Sequence, residues 1–211
     1  MSVESSKSGE PTWVIVCCYI SMCALGFLGW NGLNSLFLEA PLFASILPEK
    51  ANVSTYLLIA QQVASGVVFI PTQIFENSAK NYYSYIIIIT SIVQFAAVIV
   101  LIIWSDKAIG GFSLPFIGMA FVTSVCGYIS TTFFMPFVSL FHGKYTNAYT
   151  LGLGCSLMFS AVISLIQGSG LPNPRFGWRI FFVIILISNI ISFIGVLWLL
   201  FSKQARLQMM S

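Results

Sequence analysis

The chain has 211 residues, 58% of them hydrophobic and only 7% charged, with a mean hydropathy of +0.94 and a formal net charge of +3. A soluble domain is about a quarter charged, so this composition cannot supply a water-facing surface and reads as an all-α integral membrane protein. The nine Lys and Arg residues form no cluster anywhere, which excludes nucleic acid as a partner.

Residues 1–12 form a polar N-terminal tail. The apolar run that follows is too long for the core of a signal peptide and has no small-residue cleavage site, so it reads as a retained first span. A spanning helix needs about 20 apolar residues. Six stretches reach that length: 13–38, 54–75, 82–104, 112–140, 147–167 and 178–201. They make a transmembrane domain over 13–201, followed by a short tail at 202–211. The runs are continuous rather than alternating, which excludes β-barrel strands. Trp13, Tyr82, Tyr83, Trp104 and Trp178 fall at span ends, where an aromatic belt belongs.

Polar residues inside the runs are the informative ones, because amides are costly near hydrocarbon. In the first span Trp30, Asn31, Asn34 and Ser35 are spaced by three and four, which places them on one helical face. An indole surface beside amide groups suits a flat heterocycle; the plainer reading is that these groups are wetted at the interface. Glu39 is expected at the mouth of that face, with Pro41 ending the helix. The second span carries Gln61, Gln62, Ser65 and Gly66, with a kink expected at Pro71. The third carries Thr90, Ser91 and Gln94. The fourth has Ser130-Thr131-Thr132 shortly before Pro136, and the sixth has Ser188, Asn189 and Ser192. Any one of these is accounted for by interhelical hydrogen bonding, about 0.6 kcal/mol per contact. Five together imply a polar interior. The fifth span differs: Gly152, Ser156, Ser160, Ser164 and Gly168 recur every four residues, a small-residue stripe suited to close helix packing.

No GxSxG, no HExxH and no paired aspartates occur, so an enzyme is not expected. The five cysteines (Cys17, Cys18, Cys23, Cys126 and Cys155) lie within apolar runs, and His142 is the single histidine, which leaves no metal or other cofactor site. The cysteines read as small buried hydrophobes, with palmitoylation of Cys17 or Cys18 as the alternative. An even number of spans puts both termini on one side. With the N-terminus inside, Lys7, Lys80, Lys144, Lys203 and Arg206 face inward and Lys50, Lys107, Arg175 and Arg179 outward. That slight excess leans N-in, and the Asn52-Val53-Ser54 sequon then faces out.

Trp30-x-x-x-Asn34, Glu39-Ala40-Pro41, Leu47-Pro48-Glu49, Tyr56-Leu57 and Gln62 follow one another in the order of an opening pattern that resembles the eukaryotic riboflavin transporter family. Met135-Pro136-Phe137 and Gly152-Leu153-Gly154-Cys155-Ser156 through Gln167-Gly168 resemble later family motifs. Leu153 stands where the family carries an acidic or amide residue, Thr131 where it has Asn, and Ser65 where it has Asn. The resemblance implies a multi-pass plasma-membrane protein that takes up riboflavin by alternating access, its six helices like one half of a major-facilitator-type transporter. It implies Trp30, Asn34, Glu39 and Gln62 as substrate or gating residues, beside the candidates Asn31, Gln94 and Thr131. Full-length members carry nearly twice as many spans. Expected partners are therefore riboflavin, the lipid bilayer, and a second copy or a full-length family member. The competing expectation is a half-length scaffold without transport activity, using the fifth-span stripe as its oligomer interface.

Overall fold

The computed structural model describes residues 12–79, 82–171 and 173–207, the side chains of 73–79 and 206–207 apart. Six helices in it are long and apolar enough to cross a membrane. Helix α1 (Thr12–Ile46) is followed by a 3₁₀ turn (Lys50–Asn52), α2 (Val53–Ala79), α3 (Tyr83–Trp104) and α4 (Leu114–Ile129). A π-helical turn (Ser130–Phe134) joins α4 to α5 (Met135–Val138), and the three together make the fourth span. Helices α6 (Lys144–Gln167) and α7 (Trp178–Phe201) are the fifth and sixth, and α8 (Lys203–Leu207) ends the described chain. Residues 1–11 of the N-terminal tail and the last four residues lie outside the described residues, and Thr12 already belongs to α1.

The first span departs most from expectation. Its helix runs through Pro41 instead of stopping there, so its 35 residues reach about 52 Å at 1.5 Å per residue. Pro41 removes one backbone donor, yet the turn beyond it is anchored by Leu42 and by Phe43, which is wholly buried against the rings of Phe116, Trp178 and Phe182. Tertiary packing outweighs the local break. The belt also needs correction: Trp13, Tyr82 and Trp104 are exposed, whereas Tyr83 and Trp178 are buried in the core. The α3–α4 link, residues 105–113, carries a tight two-residue turn. Gly110 and Gly111 both take positive φ (61° and 84°), while Ile109 and Phe112 exchange backbone hydrogen bonds of 2.8 and 3.1 Å. Two consecutive left-handed residues are what such a turn demands, and glycine supplies them without strain.

Two apolar clusters sit at the two ends of the bundle. One gathers Met22, Leu25, Phe134, Tyr145, Tyr149 and Leu199; the other gathers Leu36, Phe43, Phe116, Trp178, Phe182 and Ile185. Between them lies a layer of buried polar side chains: Asn31 and Ser35 on α1, Thr90, Ser91 and Gln94 on α3, Thr123 and Ser124 on α4, Ser156 and Ser160 on α6, and Asn189 on α7. The polar patches of the first, third and sixth spans thus converge at one depth, whereas that of the second does not: Gln62 is exposed.

The fifth-span stripe packs against α1 from Gly152 to Ser164. A Cβ at Gly152 would collide with the Cys23 carbonyl oxygen, and one at Gly26 with that of Tyr149, so the two backbones touch. Further along, Ser156 meets Asn34, Ser160 meets Asn31 and Ser164 meets the Leu38 carbonyl. Small residues permit this approach and hydroxyls bond across it. The stripe is consumed inside the bundle, so it is no oligomer interface.

Candidate functional site

The four polar residues of the first span divide into two rows. Asn31 and Ser35 point inward and are wholly buried, while Trp30 and Asn34 lie half-buried. Wetting at an interface therefore does not account for Asn31 or Ser35. Asn31 knots three spans: its Nδ2 donates to Ser188 Oγ (3.1 Å) and Asn189 Oδ1 (2.7 Å), and its Oδ1 accepts from Ser160 Oγ (3.0 Å). Its donors and acceptor are thus met by protein, as a buried amide requires. Gln94 approaches from α3, its Cδ 3.1 Å from where a Gly32 Cβ would stand, and Gly32 leaves the room for it. Glu39 is not at a mouth. It is fully buried about two turns short of the helix end, where its Oε2 accepts from Gln167 Nε2 at 3.2 Å.

Trp30 turns the other way, toward the fourth span. Its Nε1 donates to Thr131 Oγ1 at 3.0 Å, and its ring stands edge-on to Tyr128 with centroids 5.9 Å apart. Tyr128 in turn touches Phe69 of α2, again at 5.9 Å. Thr131 lies in the π-helical turn, whose local cause is Pro136: it has no N–H to give the preceding turn. The Thr131 and Thr132 hydroxyls donate to the carbonyls of Gly127 and Tyr128 (3.1 and 2.9 Å), bonding backbone oxygens where the widened turn disturbs the ladder. Such π turns concentrate at functional sites in helices.

Helices α1 and α2 both lean on the fourth span and meet at their connecting end, where Leu47, Val53 and Leu57 join the core that holds Phe43. Away from that end Trp30 of α1 and Phe69 of α2 flank Tyr128, and the slot is the space between these two rings over Tyr128 and Thr131. Beneath it lies a cavity of about 170 Å³, bounded by Phe69, Tyr83, Phe133 and Pro136 with Thr72, Thr131 and Thr132. Gln62 lies seven residues before Phe69 on the same helical face, about 10 Å up α2, and is exposed. Asn34 lies one turn beyond Trp30, donating Nδ2 to Ser156 Oγ at 3.0 Å.

Of the seven candidates, then, Trp30 and Thr131 are in direct contact, with Asn34 and Gln62 above them on facing helices. Asn31, Gln94 and Glu39 belong to the packed interior. Residue spacing alone missed Tyr128 and Phe69, and named Thr132 only within the polar triplet ahead of Pro136. At the connecting end, the Glu49 carboxylate clasps Ser113, accepting from its N–H (2.5 Å) and its hydroxyl (2.8 Å). Partial burial pushes the Glu49 carboxyl up, and these two bonds outweigh that and hold it below the usual carboxylate range.

The sequence model described as solute carrier family 52, riboflavin transporter, matches residues 14–210. The chain belongs to that family. Riboflavin transporter rft-2 of Caenorhabditis elegans is 31% identical over 185 residues, covering 79% of this chain and 39% of the relative. Rft-1 of the same organism is 28% identical over 190 residues, 82% of this chain and 44% of its own length. Human solute carrier family 52 member 3 is 26% identical over 160 residues, covering 74% and 34%. This solute carrier chain therefore spans about two fifths of the length of the C. elegans relatives. No solved structure matches it.

Proposed function

We propose that this family member binds riboflavin in the slot between α1 and α2 and carries it inward across the plasma membrane, with its N-terminus in the cytoplasm. The observation that supports this reading best is the Trp30–Thr131 contact at a π-helical turn, flanked by Tyr128 and Phe69. Three aromatic rings lie in contact there, and the half-buried Asn34 and exposed Gln62 follow at helical spacing on α1 and α2, which supports reading all of them as one site. An isoalloxazine ring is flat, apolar at one end and amide-like at the other, and such a ring stacks on aromatics while an Asn or Gln meets its carbonyls and imide N–H. Asn31, Gln94 and Glu39 would act indirectly, by holding α1 at the angle that presents Trp30 and Asn34.

A second reading has a specific observation behind it. A cavity of about 170 Å³ is smaller than the roughly 300 Å³ and upward that encloses a drug-sized ligand. This six-span bundle would then be one wall of a major-facilitator-like site, completed by a second six-span bundle: another copy or a full-length relative. Alternating access of two bundles about one site has that form.

Uptake of labelled riboflavin by cells expressing the chain tests both readings, with Gln62→Ala and Thr131→Val beside the wild type. Saturable uptake, reduced by both substitutions at unchanged surface expression, supports transport through the slot. No uptake alone, restored by co-expression of a full-length relative and again reduced by Gln62→Ala, supports the two-bundle reading. Uptake indifferent to both substitutions would remove the slot from the pathway.

A further inference from the structure

The cavity beneath the slot has a chemistry of its own, and it differs from that of the slot. Its three threonine hydroxyls donate back within their own helices: Thr72 to Phe69 (2.9 Å), Thr131 to Gly127 and Thr132 to Tyr128. Their hydrogens are spent, so a ligand entering there meets methyl groups and lone pairs in place of threonine donors. The rest of the lining described above is the rings of Phe69, Tyr83 and Phe133 and the edge of Pro136. Tyr83 is a core residue packed edge-on to Phe137 at 6.4 Å, so the far wall is aromatic as well. In volume the cavity, about 170 Å³, slightly exceeds an apolar cavity of about 150 Å³ that accommodates one benzene ring. The threonine lone pairs can accept from a polar chain, but the remaining walls are rings and methyl groups, so a chain of four hydroxyls would leave some of its donors unpaired here.

The amide groups, by contrast, lie on the slot side. Asn34 is one turn, about 6 Å, along α1 from Trp30, and Gln62 about 10 Å along α2 from Phe69. A ligand lying along the slot therefore has one polar end and one apolar end prescribed for it. We infer that the cavity receives the dimethyl-substituted benzenoid end of the flavin ring, with the pyrimidine edge directed to Asn34 and Gln62 and the ribityl chain left outside the cavity. The inference rests on the riboflavin reading above and adds the orientation of the ring.

The test is a binding series on the full chain in phosphatidylcholine nanodiscs, read by quenching of flavin fluorescence. Three probes are titrated: riboflavin, its 7,8-didemethyl analogue, and lumiflavin, in which a methyl group replaces the ribityl chain. Each buried methyl carries about a fourfold change in affinity, so the didemethyl analogue is expected to bind about 15-fold more weakly, with lumiflavin within threefold of riboflavin. Gly154→Ala, on α6 away from the cavity and with nothing within 4 Å of its new Cβ, should leave riboflavin affinity unchanged. Thr132→Leu, which fills the cavity, should weaken riboflavin and shrink its advantage over the didemethyl analogue. Equal binding of riboflavin and the didemethyl analogue overturns the orientation and leaves the riboflavin reading standing. Selective loss of lumiflavin binding overturns it in favour of the ribityl chain. Absence of riboflavin binding sinks the parent reading, and the orientation with it.

Discussion

Two glycines, two residues apart on α6, should respond oppositely to the same substitution. At Gly152 an added Cβ would overlap the Cys23 carbonyl oxygen, with the carbonyl carbon at 2.8 Å and the Phe27 nitrogen at 3.0 Å. All three are backbone atoms, so no side chain can swing aside and α1 must move away from α6. Overpacking of this kind costs roughly 1–3 kcal/mol, and alanine returns up to about 1 kcal/mol of helix propensity. The net expectation for Gly152→Ala is a loss of about 1–2 kcal/mol, together with strain on the Ser156–Asn34 and Ser160–Asn31 bonds further along the seam. At Gly154 nothing lies within 4 Å of the new Cβ. Gly154→Ala should therefore be neutral or stabilise by up to about 1 kcal/mol. Reversible unfolding in mixed micelles, followed by tryptophan fluorescence, compares the two directly. If both variants shift in the same direction, α1 and α6 do not pack through Gly152 and the account of the stripe is wrong.

Asn31→Ala removes three interhelical bonds at once and orphans Ser160 and the Asn189 carbonyl oxygen, while Ser188 keeps its bond to Ile185; at about 0.6 kcal/mol each it should cost about 2 kcal/mol in the same assay. Gln62→Ala, on an exposed face, should stay within about 0.5 kcal/mol of wild type while lowering riboflavin uptake, which separates a site residue from a structural one. Glu49→Gln probes the clasp on Ser113. A carboxylate whose folded-state pKa is depressed adds stability above its unfolded value, about 4.3, and loses it as pH falls through the lower folded value. The stability gap between wild type and Glu49→Gln should be widest near pH 7 and close in acid below about pH 4; a gap independent of pH would mean the clasp holds through its neutral form. Thr131→Val leaves the Trp30 indole N–H without its acceptor, so tryptophan emission should change even where stability does not.

Span number, helical class and the stripe on the fifth span were legible from residue order, because each depends on composition or on a short repeat within one helix. The family, too, was legible in ordered motifs such as Trp30-x-x-x-Asn34 and Leu47-Pro48-Glu49. The end of the first helix was not, because Pro41 is a local break and Phe43 is a tertiary anchor, and the anchor wins. Nor was the division of Trp30 and Asn34 from Asn31 and Ser35. A spacing of three or four places residues on one broad face, but that face is shared among three neighbours: α6 and α7 take Asn31, and the fourth span takes Trp30. Glu39 moved from a supposed mouth to full burial for the same reason, since Gln167 meets it from a helix 128 residues away. Sequence by itself determined how many spans there are and which residues are too polar to face lipid. Only the tertiary structure decided which of those residues satisfy one another and which surround an opening, because a hydrogen-bond partner on another helix leaves no trace in local spacing.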